Sequence, residues 1–542
     1  MLKITTNLKW SFVIVAIFSL ENVYSQKPNR AESSELPFRI SKETTFLTRP
    51  LPTNGYFDFA SALEASTSLG VTPDNNAYVL LLKAVGPRPD EIPVPDSLFK
   101  RLGIEPLPFP GEYVSRLERT IENDEDQLDL IFEQADQALA RPWQKREFPL
   151  IAKWLGQNQI PLAKVVQATT KEEYFRPRLL NTEEGNPDSR SHPLATEMLS
   201  DVFLFNLVNQ MLCSRAMLNI GEANQNAAWK DLIASWRLAR LMGRGRNSSF
   251  DEALTAHRMQ KITYNCTLNF IRYSRPSSNK ARALQRELLT LPPPIVFSQA
   301  LNFFERIACL ESVAEIASNS ADVENRLLGT GYEKMHKIIL VFDQFRGKPT
   351  IDWNTVLKTV NHWYDRFVIA LKLTDFDNRQ AAIKTIIAEL KVENSRVTRL
   401  LKEPKPKKSK KKLLSEMMGS VAVLISIEPE SQIKARSSAI LPTINQQWDR
   451  NLAVALALAA YRSDTGHYPT RLDHLSPEYL ETIPLDLFSG QPLHYQSAKK
   501  GYLLSSVGPD RQANKASTGV DPQNNDDVVV NMQPTVQKPK PN

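Results

Sequence analysis

The sequence predicts a mainly α protein: a multi-helix body of helical hairpins, followed by a small α+β C-terminal module with a short antiparallel sheet. Three observations carry this reading. Alanine and leucine recur at three- and four-residue spacing over most of the 542 residues, the period of helices that bury one face. Glycine is scarce, 19 residues against 36 prolines, which suits helices joined by stiff connections and argues against a glycine-rich nucleotide-binding fold. Near the C-terminus the pattern changes to short runs around Leu493–Tyr495 and Tyr502–Ser506, split by a turn near Gly501, which read as a β-hairpin.

Residues 1–25 read as a signal peptide. Lys3 and Lys9 flank an apolar core from Trp10 to Leu20, and Val23 and Ser25 hold the −3 and −1 positions of a cut before Gln26. The core is short for a membrane span, which needs about 20 residues. The expectation is an extracytoplasmic protein, periplasmic or in the cell envelope; an uncleaved N-terminal anchor is the alternative. Residues 26–55 are polar and irregular and read as a tether.

Residues 56–190 alternate short helices with proline-rich connections. Pro87 and Pro89 end the helix in "NNAYVLLLKAVGP", Ser115–Leu139 reads as a longer amphipathic helix, and Pro161 opens another short one. Residues 191–401 form the helical-hairpin body, with turns at Gly221 and at Gly243 and Gly245. Its pairs look like tetratricopeptide hairpins but lack a constant period. Residues 402–412 follow as a lysine-rich linker with seven lysines and one glutamate, the source of nearly all of the net charge of +7. No aromatic residue interleaves those lysines, which argues against nucleic acid; a solvated linker or contact with an anionic membrane surface fits better. A long helix and the α+β module occupy residues 413–510, and residues 511–542 read as a flexible tail.

The helix "NLAVALALAAYRSDTG" stops where Gly466 supplies a left-handed cap and Pro469 forbids continuation. "TRLD" from Thr470 to Asp473 reads as a capping box, and Ser476 with Pro477 as the start of a further short helix. This order, over about residues 450–530, resembles the C-terminal domain of the major pseudopilin of type II secretion systems. The matching positions are Tyr461, Asp464, Gly466, Tyr468, Pro469, Thr470, Leu475, Tyr479, Leu480, Pro484, Asp486, Gly490, Pro492, Tyr495 and "SVGPD" from Ser506 to Asp510. The resemblance implies a calcium ion after the hairpin, with Ser506, Asp510 and Asp527 (or its neighbour Asp526) as ligands; oxygen donors suit calcium. The chain departs from the family in two ways: "RQANKASTG" replaces the glycine pair after the aspartate, and the N-terminal apolar segment is not joined to the module. As a whole the chain is similar to large bacterial envelope proteins that pair a helical body with this ending.

Motifs with a mechanism behind them are missing: the sequence has no P-loop, no GxGxxG, no GxSxG elbow and no HExxH. "NHWYDR" offers the best polar cluster, because His362, Asp365 and Arg366 on one turn could act as an acid–base group. Packing of Trp363 with solvated charges is the plainer reading. Cys213, Cys266 and Cys309 lie on apolar helical faces; one disulfide with a leftover thiol is open to them, but spacing does not choose the pair. The sequence therefore predicts a non-enzymatic envelope scaffold that binds other envelope proteins. The alternatives are an accessory of the type II secretion machinery, and an envelope hydrolase with unmarked catalytic carboxylates. Membrane contact through the N-terminal segment or Lys402–Lys412 completes the expected partners.

Overall fold

The computed structural model describes residues 36–50, 57–120, 125–178, 194, 199–318, 351–401, 411–427, 431–511 and 528–533. The signal peptide and most of the lysine run lie outside them. The chain is mainly helical with one small antiparallel sheet near its C-terminal end.

Six short helices come first: α1 (Phe59–Thr67), α2 (Ala77–Val85), α3 (Asp96–Leu102), α4 (Glu125–Ala140), α5 (Pro149–Gln157) and α6 (Gln159–Ala168). Side chains fix where several helices begin: Asp58 accepts from Ser61 N, and Asn76 from Tyr78 N. Such caps satisfy amide groups that the helix itself cannot, each contributing about 1 kcal/mol. The long helix expected over Ser115–Leu139 is shorter than that. Leu117–Thr120 is a 3-10 turn, and α4 spans Glu125–Ala140.

The hairpin body follows as α7 (Ser200–Gly221), α8 (Gln225–Gly243), α9 (Phe250–Ser274) and α10 (Ser278–Leu289). Helix α9 opens with a full capping box between Ser249 and Glu252. Next, α11 runs through Phe297–Ala300, a π-helical turn Leu301–Glu305 and Arg306–Ala317. Then come α12 (Trp353–Leu371), α13 (Phe376–Leu401), α14 (Lys411–Ile427) and α15 (Ser431–Thr465).

Burial divides these elements between two apolar cores. The first gathers α2 to α10, the middle of α15 and the sheet. The second gathers α1, α11 beyond Leu301, and α12 to α14. The expected tether contributes to the second core: Phe38 is buried in it, and Arg306 lies 4.3 Å over the ring of Phe46. Asn361 of α12 donates to the carbonyls of Glu43 and Thr44 at 3.0 and 2.9 Å, holding residues 38–46 as a strap. The polar composition hid this, because the segment is held by a few scattered apolar side chains and by two backbone carbonyls rather than by a periodic apolar face.

Helix α15 crosses from one core to the other and carries Pro442 in its interior. Proline removes a donor and disturbs the preceding turn. There the buried Arg379 guanidinium donates to the Ala439 carbonyl at 2.9 Å and also reaches Thr443.

The sheet has the order β1 (His494–Ala498), β2 (Gly501–Ser506), β3 (Val528–Asn531), antiparallel throughout, with Tyr495 opposite Leu504 and Leu504 opposite Val530. The expected hairpin is β1–β2. Strand β3 lies in the segment read as a flexible tail, and its Val528 and Val530 point into the first core. Gly466 takes the left-handed conformation at φ +81° and donates to Arg462 O at 2.8 Å, as the sequence implies. The capping box at Thr470 does not form: Arg471 is extended, Leu472–Leu475 is a 3-10 turn, and Asp473 pairs with Arg471 at 2.6 Å. No helix starts at Ser476 either. Its hydroxyl donates to Glu481 O at 3.0 Å, and Tyr479 N closes a turn on Leu475 O at 2.8 Å.

Candidate functional site

A groove of about 930 Å³ lies on the second core between α12, α13 and α14. Its wall on α12 follows helical spacing through Thr355, Thr359, His362, Trp363 and Arg366. Helix α14 runs beside α12 in the same direction: Asp352 N donates to Ser415 Oγ at 2.9 Å, and Trp363 Nε1 donates to Ser420 Oγ at 2.8 Å. Gly419 permits this approach, since a Cβ there would lie 2.6 Å from the Val356 carbonyl oxygen.

Trp363 is buried below the groove and roofed by Arg366, whose guanidinium lies 4.6 Å from the ring centroid. Arg366 also pairs with Glu389 of α13 at 2.5 Å. That hydrogen bond, with the charges of Arg366 and His362, holds the Glu389 carboxyl below the usual range. Two apolar side chains stand exposed among these charges, Val392 of α13 at 51% and Leu413 of α14 at 46%. Arg396–Glu393 and Lys412–Glu416 complete ion pairs of both signs along the rim.

The expected acid–base turn is split by this arrangement. His362 and Arg366 line the groove, whereas Asp365 pairs with Arg306 of α11 at 2.7 Å. The three groups therefore do not converge on one substrate position.

The residues expected to hold calcium are placed differently from one another. The Ser506 hydroxyl is buried and donates to Asp486 Oδ1 at 2.9 Å, while Asp510 is exposed in the turn beyond β2. Asp527 and Asp526 lie outside the described residues. Asp486 is the buried acceptor here: Phe488 N and Val507 N each donate to it at 2.9 Å. The carboxylate ties the 486–490 turn to the end of β2.

Several of the positions that carry the pseudopilin resemblance are in contact, with one another or with Tyr502 of β2. Tyr461 packs on Tyr479 at 5.4 Å, Tyr468 on Tyr502 at 4.9 Å, and Tyr495 donates to Pro469 O at 2.8 Å. Asp464 accepts from Tyr479 at 3.1 Å and from Ser278 of α10 at 2.7 Å, so the module is bound to the hairpin body.

The sequence reading missed a closed polar seam where the two cores meet. Arg176 makes a two-pronged ion pair with Asp201 at 2.7 and 2.8 Å, and Tyr78 donates to the same carboxylate at 2.8 Å. Two residues on, Arg178 pairs with Glu252 at 3.0 Å and stacks 4.6 Å over Phe304, a side chain of the second core. Both arginines are fully buried. The signal was "YFRPRL", two arginines between apolar residues around a proline that keeps the segment extended.

Among the described residues no group of three His, Cys, Asp or Glu side chains is gathered as a metal site would require, and no helix is long and apolar enough to cross a membrane. Comparison with known proteins gives no family model, no curated relative and no solved structure that matches this chain.

Proposed function

We propose that this chain is a non-enzymatic interaction scaffold of the cell envelope, exported through its N-terminal segment, and that the groove between α12, α13 and α14 receives an amphipathic helix of another envelope protein. The observation that carries the reading is the exposed pair Val392 and Leu413 within a rim of paired charges. Exposed apolar side chains in a groove lined by ions of both signs suit a helix with one apolar stripe and mixed charge on its flanks.

The test places a photo-crosslinking residue at Val392, at Leu413, and, as a control, at Leu289, which is 80% exposed outside the groove. In intact cell envelopes the two groove positions should yield the same discrete adduct and Leu289 should not. Adducts shared by all three positions, or none at all, would sink the proposal.

A second reading, an accessory of the type II secretion machinery, is supported by the contacts between positions of that resemblance, Tyr461 on Tyr479 and Tyr495 on the Pro469 carbonyl. Crosslinkers on the exposed Lys499 or Lys500 at the hairpin turn would then capture secretion-system components. Deleting the module is a poor alternative, because β2 and β3 share the core of the hairpin body.

A further inference from the structure

The three-stranded sheet has one closed edge and one open edge. At β3, Arg272 of α9 donates to Asn531 O, and Asn451 of α15 donates to Val528 O at 3.1 Å. The other edge is β1. Among the described residues it pairs only with β2, in an unbroken register from His494 opposite Ser505 to Ala498 opposite Gly501. Met532 N donates to Tyr502 O at 2.9 Å, so the backbone of Tyr502 turns toward β3. In an antiparallel ladder this direction alternates along each strand. Gly501, Leu503 and Ser505 therefore bond to Ala498, Gln496 and His494, and the N–H and C=O groups of Tyr495 and Ser497 point outward. Among the described residues nothing pairs with those four groups.

Proteins usually blunt such an edge with a bulge, a proline or a lysine within the strand, and "HYQSA" has none of them. The two faces of β1 differ. His494, Gln496 and Ala498 are exposed, whereas Tyr495 and Ser497 are half-buried. The Tyr495 ring packs on Tyr502 at 6.0 Å, as the half-buried Tyr468 does at 4.9 Å. Charge is one-sided as well. From Leu487 to Pro509 the chain has no Asp or Glu, while His494, Lys499 and Lys500 stand exposed on the strand or at its turn.

We propose that the β1 edge receives an extended acidic peptide of another protein as a fourth, antiparallel strand. The outward groups of Tyr495 and Ser497 supply the backbone hydrogen bonds. Peptide residues opposite those two lay apolar side chains on the half-buried face, and the residues between them turn carboxylates to the exposed face near the lysines. A second copy of this chain is the poorer occupant, because its own β1 brings the same basic groups and no acidic one. The proposal stands on the sheet and not on the groove between α12, α13 and α14.

The test titrates the full-length chain into a fluorescent peptide of alternating valine and glutamate, about eight residues long so that it spans β1. Two further peptides are N-methylated, one at the valines, whose backbone faces β1 in this register, and one at the glutamates, whose backbone faces away. Methylation at the valines should weaken binding about tenfold or more, since it removes the donors that pair with β1, and methylation at the glutamates should leave it nearly unchanged. A lysine–valine peptide should bind more weakly than the glutamate peptide, and the order should reverse for a Lys499→Glu/Lys500→Glu variant. Hydrogen exchange supplies a readout that needs no variant: the peptide should slow the amides of Tyr495 and Ser497, while that of Gln496 is already slow in the free chain. No binding, equal binding of the two methylated peptides, or no charge preference would overturn the proposal. So would slowing of the Tyr495 and Ser497 amides with rising chain concentration alone, which would assign the edge to a second copy.

Discussion

The imidazole of His257 stacks on the indole of Trp448, ring centroids 5.0 Å apart and planes 18° from parallel. The contact joins α9 to α15, and Tyr264, two turns further along α9, stacks on the same indole at 5.5 Å. His257 Nδ1 lies 2.7 Å from Asn445 Oδ1, so the neutral ring can donate there. Burial pushes its pKa down to about 4; the hydrogen bond to Asn445 opposes this, and the charges of Lys261 and Arg258 add to it.

This depression makes the attachment of α15 acid-labile. A histidine whose folded pKa lies below its unfolded value of 6.5 contributes stability fully present above that value. The contribution is lost as pH falls from there toward the folded pKa. Over that window it amounts to about 3 kcal/mol, of which about 2 kcal/mol has gone by about pH 5. Urea midpoints at about pH 7.5 and pH 5 should fall steeply for the wild type and distinctly less for His257→Phe, which keeps the stack but cannot protonate. Equal slopes would refute the assignment.

Local punctuation was legible in the sequence, and long-range pairing was not. Gly466 and the β1–β2 hairpin were readable because each signal lies within a few residues of the structure it makes. Strand β3 was not, because "VVVN" is too short to show alternation and its partner β2 lies across a polar, aspartate-rich segment. Thr470 and Asp473 matched a capping pattern, yet packing of Leu472 and Leu475 into the first core selects a 3-10 turn instead. The groove was half visible, in His362, Trp363 and Arg366, but its other walls come from helices that no local spacing connects to them.

Two helical glycines should respond oppositely to alanine. A Cβ at Gly221, the last residue of α7, would lie 1.9 Å from the Trp143 carbonyl oxygen, and backbone cannot yield cheaply. Gly221→Ala should cost about 2–4 kcal/mol. Gly156 in α5 has nothing within 4 Å of the same position. Gly156→Ala should therefore stabilise by up to about 1 kcal/mol through helix propensity. Thermal denaturation of both variants checks the pair.

The seam at Arg176 and Asp201 should be costly to break and cheap to replace. Asp201→Leu leaves a guanidinium buried without its counter-charge, which costs about 3–5 kcal/mol. The double variant Arg176→Met with Asp201→Leu removes both charges and should recover most of that loss. The exposed pair Arg119–Glu91 serves as the contrast, where Glu91→Ala should cost less than about 1 kcal/mol. Chemical denaturation of the four proteins decides whether burial or the mere presence of an ion pair sets the cost.

Asp486, which is buried, should matter more to the module than the exposed Asp510. Its carboxylate is buried and accepts from Ser506 Oγ, Phe488 N and Val507 N, so Asp486→Ala strands three donors at once. Stranded buried donors cost about 1–3 kcal/mol each when water cannot reach them. Partial hydration of the vacated space brings the expected total to about 3 kcal/mol. Asp486→Asn keeps one acceptor oxygen but turns an amide donor toward one of the three, so it should fall between wild type and alanine. Asp510→Ala, at an exposed turn, should cost less than Asp486→Ala. Hydrogen exchange at the amides of Phe488 and Val507 separates a local effect from a global one. If Asp486 fixes the turn to the end of β2, those two amides lose protection before the rest of the sheet does. Uniform loss across β1 and β2 would instead make the carboxylate a general stabiliser of the core shared with the hairpin body.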